Sequence, residues 1–285
     1  MLSSLQLNRI FKRKKAQKLA LLIAAAYVVI VFIMSILANY IAPYNPYTVN
    51  LNQIFLPPSF KHIMGTDYLG RDVFSRIIYG ARYSLGASVI AVALALFIGS
   101  IIAFTTAYIG GYLDRAFNVV MDTMYTFPLI LIAIMIAFVI GKGFFNVAVS
   151  VAIAETPRFY RVVRSSVVSV KNRGFIESAR LSNIPLRVII YRHILLLVIP
   201  PLAVMSALTM SDAILSISIL GFLSLGIPPP IPEWGADLSV NRSALLVGAW
   251  WALTFPGLMI LVTSFAFLLI SEMYNEITIK GAGEI

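Results

Sequence analysis

The chain is poor in groups that make or break bonds. It has 285 residues, no cysteine and two histidines, His62 and His193. Without cysteine there is no thiol nucleophile, thiolate metal site or disulfide. No GxxxxGK[ST] phosphate loop, HExxH zinc helix or Gly-x-Ser-x-Gly elbow occurs, so the usual routes to ATP hydrolysis, zinc catalysis and serine chemistry are closed. The histidines fall in a loop and at a helix end, which leaves no Ser–His pair inside an apolar core. What remains is chemistry of contact. The stretch 158–201 is basic and polar, lies between two long apolar runs, and contains Glu177-Ser178-Ala179-Arg180-Leu181-Ser182-Asn183. The spacing predicts a helix over 175–182. Asn183 tolerates a left-handed stop and Pro185 follows it. Such a helix, lying across a membrane face, suits a groove on another protein or a bed of anionic headgroups. The pattern alone leaves both open.

Two carboxylates sit inside apolar runs, where an ionisable group is a functional candidate by default. Asp212, in Met210-Ser211-Asp212-Ala213, can line a passage and meet a substrate ammonium. It can equally bond a neighbouring helix or an arginine of a partner. Asp122 lies about five residues into its run, near an interface. A third polar segment, 65–82, alternates charge through Asp67, Arg71, Asp72, Arg76 and Arg82. It reads as an amphipathic surface helix leading into an apolar run, with Asp72 and Arg76 as an exposed i,i+4 pair. Its role is to order that entry or to touch an external partner. Pro228-Pro229-Pro230 reads as a stiff extended turn that braces a gate or shapes a loop.

The elements that must position these residues are set by composition. The chain is 60% hydrophobic, 12% charged and has a mean hydropathy of +0.90. Lipid is the solvent for much of it, and its spans must be helices because unpaired backbone groups are not tolerated in hydrocarbon. Six runs approach the crossing length: 19–41, 85–109, 117–140, 144–163, 194–220 and 249–271. Glu155, Pro157 and Arg158 interrupt the fourth. The first is too long for a signal peptide's apolar region and lacks a good cleavage site, so it reads as a retained anchor. With six spans, sixteen lysines and arginines fall on the face holding both termini and six on the other. The positive-inside rule therefore places both termini and the 158–201 stretch in the cytoplasm of a plasma or inner membrane protein. The net charge of +10 is explained by topology and headgroup contact, and no nucleic-acid partner is expected. Along the second run, Ala87, Ala91, Ala95, Gly99, Ala103 and Ala107 form a stripe at every fourth residue. It suits close helix packing within this subunit or against another. The expected division is a basic tail 1–18, a first span 19–41, an external loop 42–84, a five-helix core 85–274 with a cytoplasmic loop at about 164–193, and a tail 275–285.

These residues also resemble a family. Glu177-Ser178-Ala179 with the later Ile199-Pro200 is similar to the EAA loop of ATP-binding cassette (ABC) importer permeases. Residues 65–85, GTDYLGRDVFSRIIYGARYSL, resemble the signature of the C-type permease of dipeptide, oligopeptide and nickel importers. So do 220–230, LGFLSLGIPPP, followed by Pro232-Glu233-Trp234-Gly235, and Trp250-Trp251 before Phe255-Pro256-Gly257. The resemblance covers nearly the whole chain after the first span. It implies an all-α integral membrane protein with the type I ABC importer permease fold. It implies a coupling helix made by Phe175, Ile176, Glu177, Ser178, Ala179, Arg180, Leu181, Ser182, Asn183, Ile184 and Pro185, which docks on a cytoplasmic ATPase. Two positions depart from the family pattern: Ser178 stands for an alanine and Asn183 for a glycine. The implied partners are a second homologous permease, two cytoplasmic ABC ATPases and an external substrate-binding protein. ATP and Mg would be bound by the ATPases, with no catalytic residue, metal or cofactor in this chain. The implied cargo is a di- or oligopeptide; nickel or oligosaccharide import uses the same machinery. A self-contained secondary transporter would show inverted repeats, and no clear repeat is found.

Overall fold

The computed structural model describes residues 4–171 and 195–282. The segment 175–185, His193 and the flanking basic residues of that loop lie outside the described residues. The described helices are α1 (Ser4–Ile36), α2 (Ala38–Ile41), α3 (Val73–Ile109), α4 (Gly111–Thr126), α5 (Leu129–Ile140), α6 (Phe144–Lys171), α7 (Leu195–Phe222), α8 (Trp234–Val240) and α9 (Trp251–Ala282).

Among the described residues, four helical stretches are long and apolar enough to cross a membrane: Lys18–Ile36, Val73–Ile109, Val198–Phe222 and Trp251–Asn275. The expected third span, 117–140, is not one rod. It is split into α4 and α5, which meet at 98°. Pro128 is the cause. It has no N–H to donate, and it pushes the residue before it out of helical geometry; Phe127 sits at φ −80°, ψ 147°. Counted as one broken span, the pair makes a fifth. The expected fourth span lies in α6, whose charges keep it from qualifying on apolar length. That helix is instead wrapped by α3, α5 and α7, and buries Val147, Ala148, Val151, Ala152, Phe159 and Tyr160. Burial in protein, rather than an apolar face toward lipid, makes its polar residues tolerable.

The stripe on α3 packs inside this subunit. Ala87, Ala91, Ala95, Gly99, Ala103 and Ala107 are all buried, and α6 lies along them. At Gly99 the approach is closest: a Cβ there would stand 2.7 Å from the Thr156 carbonyl and 3.0 Å from the Tyr160 nitrogen. Only a hydrogen fits.

The segment 65–82 departs from its expectation in two ways. From Val73 onward it is the first part of α3 itself, continuous with the span. It is also covered by protein: Val73, Ser75, Arg76, Ile77, Ile78, Gly80 and Ala81 are buried. The exposed Asp72–Arg76 pair does not form. Asp72 caps the helix, its Oδ2 accepting the Ser75 N–H at 2.8 Å, and Arg76 reaches other carboxylates. A capping aspartate satisfies an orphan N–H of the first turn, a stronger claim on it than a solvated ion pair.

Candidate functional site

The first constellation is a buried ionic knot at the end of the bundle where α3 begins. Asp67 Oδ1 accepts the backbone N–H groups of Leu69 and Arg71, each at 2.9 Å, and its Oδ2 accepts Arg71 Nε at 2.7 Å. Gly70, at φ +69°, closes this turn. Arg76 lies 3.8 Å from the same Asp67 oxygen and makes a close ion pair with Asp237 on α8. Its Nη1 also donates to the carbonyl of Pro46 at 3.1 Å. His62 Nδ1 meets Asp72 Oδ1 at 2.9 Å. Glu233 caps α8: its Oε1 accepts from Gly235 N–H at 3.0 Å and from the Ser84 hydroxyl at 2.9 Å, and its Oε2 from Ala236 N–H at 2.7 Å. Two indoles lock the pieces together. Trp234 donates to the Ile77 carbonyl at 3.0 Å and Trp251 to that of Thr66 at 3.1 Å.

Asp67, Arg71, Asp72, Arg76, Glu233 and Asp237 are all buried. Charges removed from water persist only when paired and fully hydrogen-bonded, which explains the density of bonds. Burial pushes the Glu233 carboxyl up to about 7, against the pull of the two backbone N–H groups and the Ser84 hydroxyl. The knot draws on the three resembling segments, 65–85, 220–235 and 250–257. Residues far apart in the chain are thus parts of one clamp.

The second constellation is a row of arginines along α6, toward the end that leads into residues 172–194. Arg158, Arg161 and Arg164 recur every third residue, so they share a helix face. Arg158 pairs with Asp212 on α7 and lies 3.2 Å from Glu155. Arg161 bonds Asp122 on α4 at 2.8 Å, with its guanidinium 3.8 Å from the centre of the Tyr125 ring. Arg164 makes a two-pronged contact with Asp114 on α4, at 2.8 and 2.7 Å. Two turns further along, Lys171 donates to the Tyr108 carbonyl at 2.7 Å, at the end of α3. Lysine at a helix C-terminus satisfies carbonyls that have no partner in their own helix. The last four turns of α6 are therefore pinned to α7, α4 and α3 by side chains of one sign.

Asp212 is thus paired with an arginine of its own chain. Asp122 joins the same row. Sequence reading counted Arg158, Arg161 and Arg164 only as topological charge; their three-residue spacing and the presence of Asp114, Asp122 and Asp212 in neighbouring helices were the available signals. Glu233 and Asp237 were also missed as partners. Ser84, which bonds Glu233, and Arg76, which bonds Asp237, lie 149 and 161 residues away, and nothing local announces those contacts. The eleven residues 175–185 lie outside the described residues.

A helical membrane bundle with a polar clamp at one end, and a central helix pinned at the other, defines a multi-pass membrane component. The particular kind follows from comparison. Residues 95–276 match the family described as binding-protein-dependent transport system inner membrane component, and residues 6–58 match the N-terminal transmembrane domain of oligopeptide transport permease C. The chain is 37% identical over 269 residues, 93% of its length and 87% of the relative's, to the glutathione transport system permease protein GsiD of Escherichia coli O157:H7. The same identity and coverage hold for GsiD of Shigella boydii serotype 4 (strain Sb227). The chain belongs to the family of ABC importer permeases, in its oligopeptide-type C branch. It is a membrane permease subunit, and ATP hydrolysis belongs to partner subunits.

Proposed function

We propose that this chain forms half of a translocation pathway for di- or oligopeptides, opposite a second homologous permease, and is driven by two cytoplasmic ATPases and supplied by an external binding protein. The observation that carries the coupling role is the arginine row. A helix that transmits motion must be stiffly joined to the spans it moves, and α6 runs from the membrane core straight toward residues 172–194. The coupling helix is assigned to 175–185 within that loop, with Glu177, Ala179 and Arg180 at the ATPase contact. The knot end, with six of the twenty-two lysines and arginines, faces outward, where it can receive a binding protein. The peptide cargo is supported by the oligopeptide description of the matched N-terminal domain and by relatives named for glutathione transport, glutathione being a tripeptide.

In this mechanism, ATP binding draws the two ATPases together, each coupling helix follows its ATPase, and α6 carries the displacement to α3, α4 and α7. The pathway then switches between inward and outward access. A cysteine at Ser182 tests the docking, because the natural chain has none. Cross-linking of Ser182→Cys in native membranes should capture an ABC-type ATPase, identified by mass spectrometry. Capture of lipid alone, by a protein shown to transport, overturns the coupling assignment.

A further inference from the structure

The Glu155–Arg158–Asp212 cluster lies near mid-depth in the bundle. Gly99 abuts Thr156 and Phe159, and Gly99 is ten residues, about 15 Å at helical rise, from Ile109 at the end of the apolar run on α3. Asp212 likewise stands ten residues before the end of α7 at Phe222. At this depth the hydrocarbon is farthest from water on either side. Yet the cluster is not sealed. The side chains are 20% exposed at Arg158 and 34% at Asp212, whereas Glu155 beneath them is 2% exposed. A cavity of about 180 Å³ opens beside the pair, lined by Tyr125, Arg158, Arg161, Val162, Met205 and Leu208. An ion pair turned toward lipid at this depth is strongly disfavoured. An ion pair turned toward a water-filled passage is not. The exposed side of the pair therefore marks the face of the subunit that lines the passage.

The charge of the cluster narrows what it takes. Two carboxylates meet one guanidinium, and Glu155 Oε2 accepts no hydrogen bond among the described residues although Arg158 lies near it. The cluster thus holds one carboxyl more than it has guanidinium groups, and Arg158 keeps a carboxyl neighbour when a cation takes its place on Asp212. Resting on the reading of this chain as a peptide permease, we propose that the Arg158–Asp212 pair is a transit subsite for zwitterionic peptides. The α-ammonium of the peptide takes the place of Arg158 on Asp212. The freed guanidinium, still held by Glu155, meets the peptide carboxylate. The aromatic and aliphatic wall of Tyr125, Val162, Met205 and Leu208 accommodates side chains of varied shape, as flexible methionine-containing surfaces do. After the peptide leaves, the internal pair closes again, so the passage carries no unpaired charge between cycles.

The test uses the assembled importer in proteoliposomes, with Leu208→Cys as a probe beside the pair and Phe138→Cys as a control on the exposed face of α5, where that side chain is 77% exposed. A charged methanethiosulfonate reagent is applied during turnover, with and without a dipeptide that the unmodified importer accumulates. Leu208→Cys should react severalfold faster than Phe138→Cys, and the dipeptide should slow it. Adding Asp212→Asn should abolish that protection while leaving the reactivity in place, and Asp212→Glu should restore it. Leu208→Cys as slow as Phe138→Cys would place the pair against lipid or another helix and overturn the subsite. So would protection that survives Asp212→Asn, or protection of equal strength by an N-acetylated dipeptide. Failure of the unmodified importer to accumulate any peptide overturns the cargo reading, and the subsite with it, before any variant is made.

Discussion

At the scale of single residues, the strongest constraints are places where one atom more or one charge fewer cannot be absorbed. Gly99 is such a place, because the groups a side chain would strike are the Thr156 carbonyl and the Tyr160 nitrogen of α6, not the yielding tip of a side chain. Gly99→Val is expected to lower stability by about 1–3 kcal/mol through overpacking, measured as a drop in the thermal unfolding midpoint in detergent; an unchanged midpoint would show that α3 and α6 can part without cost. Asp237→Ala removes the main partner of the buried Arg76 guanidinium. Breaking a buried pair from one side typically costs about 3–5 kcal/mol, so this variant should accumulate poorly and unfold early, whereas a surface control such as Lys61→Ala should not. The glycine was legible in the sequence, because small residues at a fixed helical period have few other uses. The partner of Arg76 was not. Asp72 stands four residues earlier on the expected helix and looks like the natural choice, but capping claims it. The true partner comes from a helix 161 positions downstream.

At the scale of elements, α8 and α6 carry the predictions. Helix α8 is held by Glu233, whose carboxyl is raised to about 7 from an unfolded value near 4.3. A raised carboxyl favours the folded state most when both forms are protonated. Stability contributed here is therefore present below about pH 4.3 and is lost as the pH climbs through about 7, where the folded carboxyl ionises. The unfolding midpoint should fall between pH 5.5 and pH 8, and Glu233→Gln should flatten that slope; an equal slope in the variant would assign the effect to another group. On α6, Arg164→Asp should uncouple uptake from ATP hydrolysis by cutting the link to α4, and Arg164→Asp with Asp114→Arg should recover part of it. A double variant no better than the single one would mean that this contact does not carry motion. The long apolar helices were readable because hydropathy alone decides them. The elbow between α4 and α5 escaped, since an average over 117–140 runs straight through Pro128. The polar face of α4, with Asp114 and Asp122 directed at arginines, was the clue.

At the scale of the whole molecule, a polar knot closes one end of an apolar bundle, a row of ion pairs runs from its middle toward the other end, and α3 with α6 forms the axis between them. The proposed orientation puts the knot outside. Lys61→Cys should then be labelled in intact cells by a membrane-impermeant maleimide, and Arg115→Cys only after permeabilisation. The reverse pattern would invert the topology and remove the basic loop from any cytoplasmic ATPase. The bundle could be anticipated from composition and from the resembling segments. That those segments converge on one clamp could not, because their meeting depends on how α7, α8 and α9 fold back over the start of α3.

That folding back has a consequence for how the protein is made. Arg76 leaves the ribosome 161 residues before Asp237. At the usual pace of synthesis, about 5–20 residues per second, the delay is roughly ten to thirty seconds. Throughout it, the nascent chain holds at the membrane surface a guanidinium whose principal counter-charge does not yet exist. A chain cut short before α8 leaves Arg76 with Asp67 and the Pro46 carbonyl alone, without the carboxylate that completes its pairing in the finished fold.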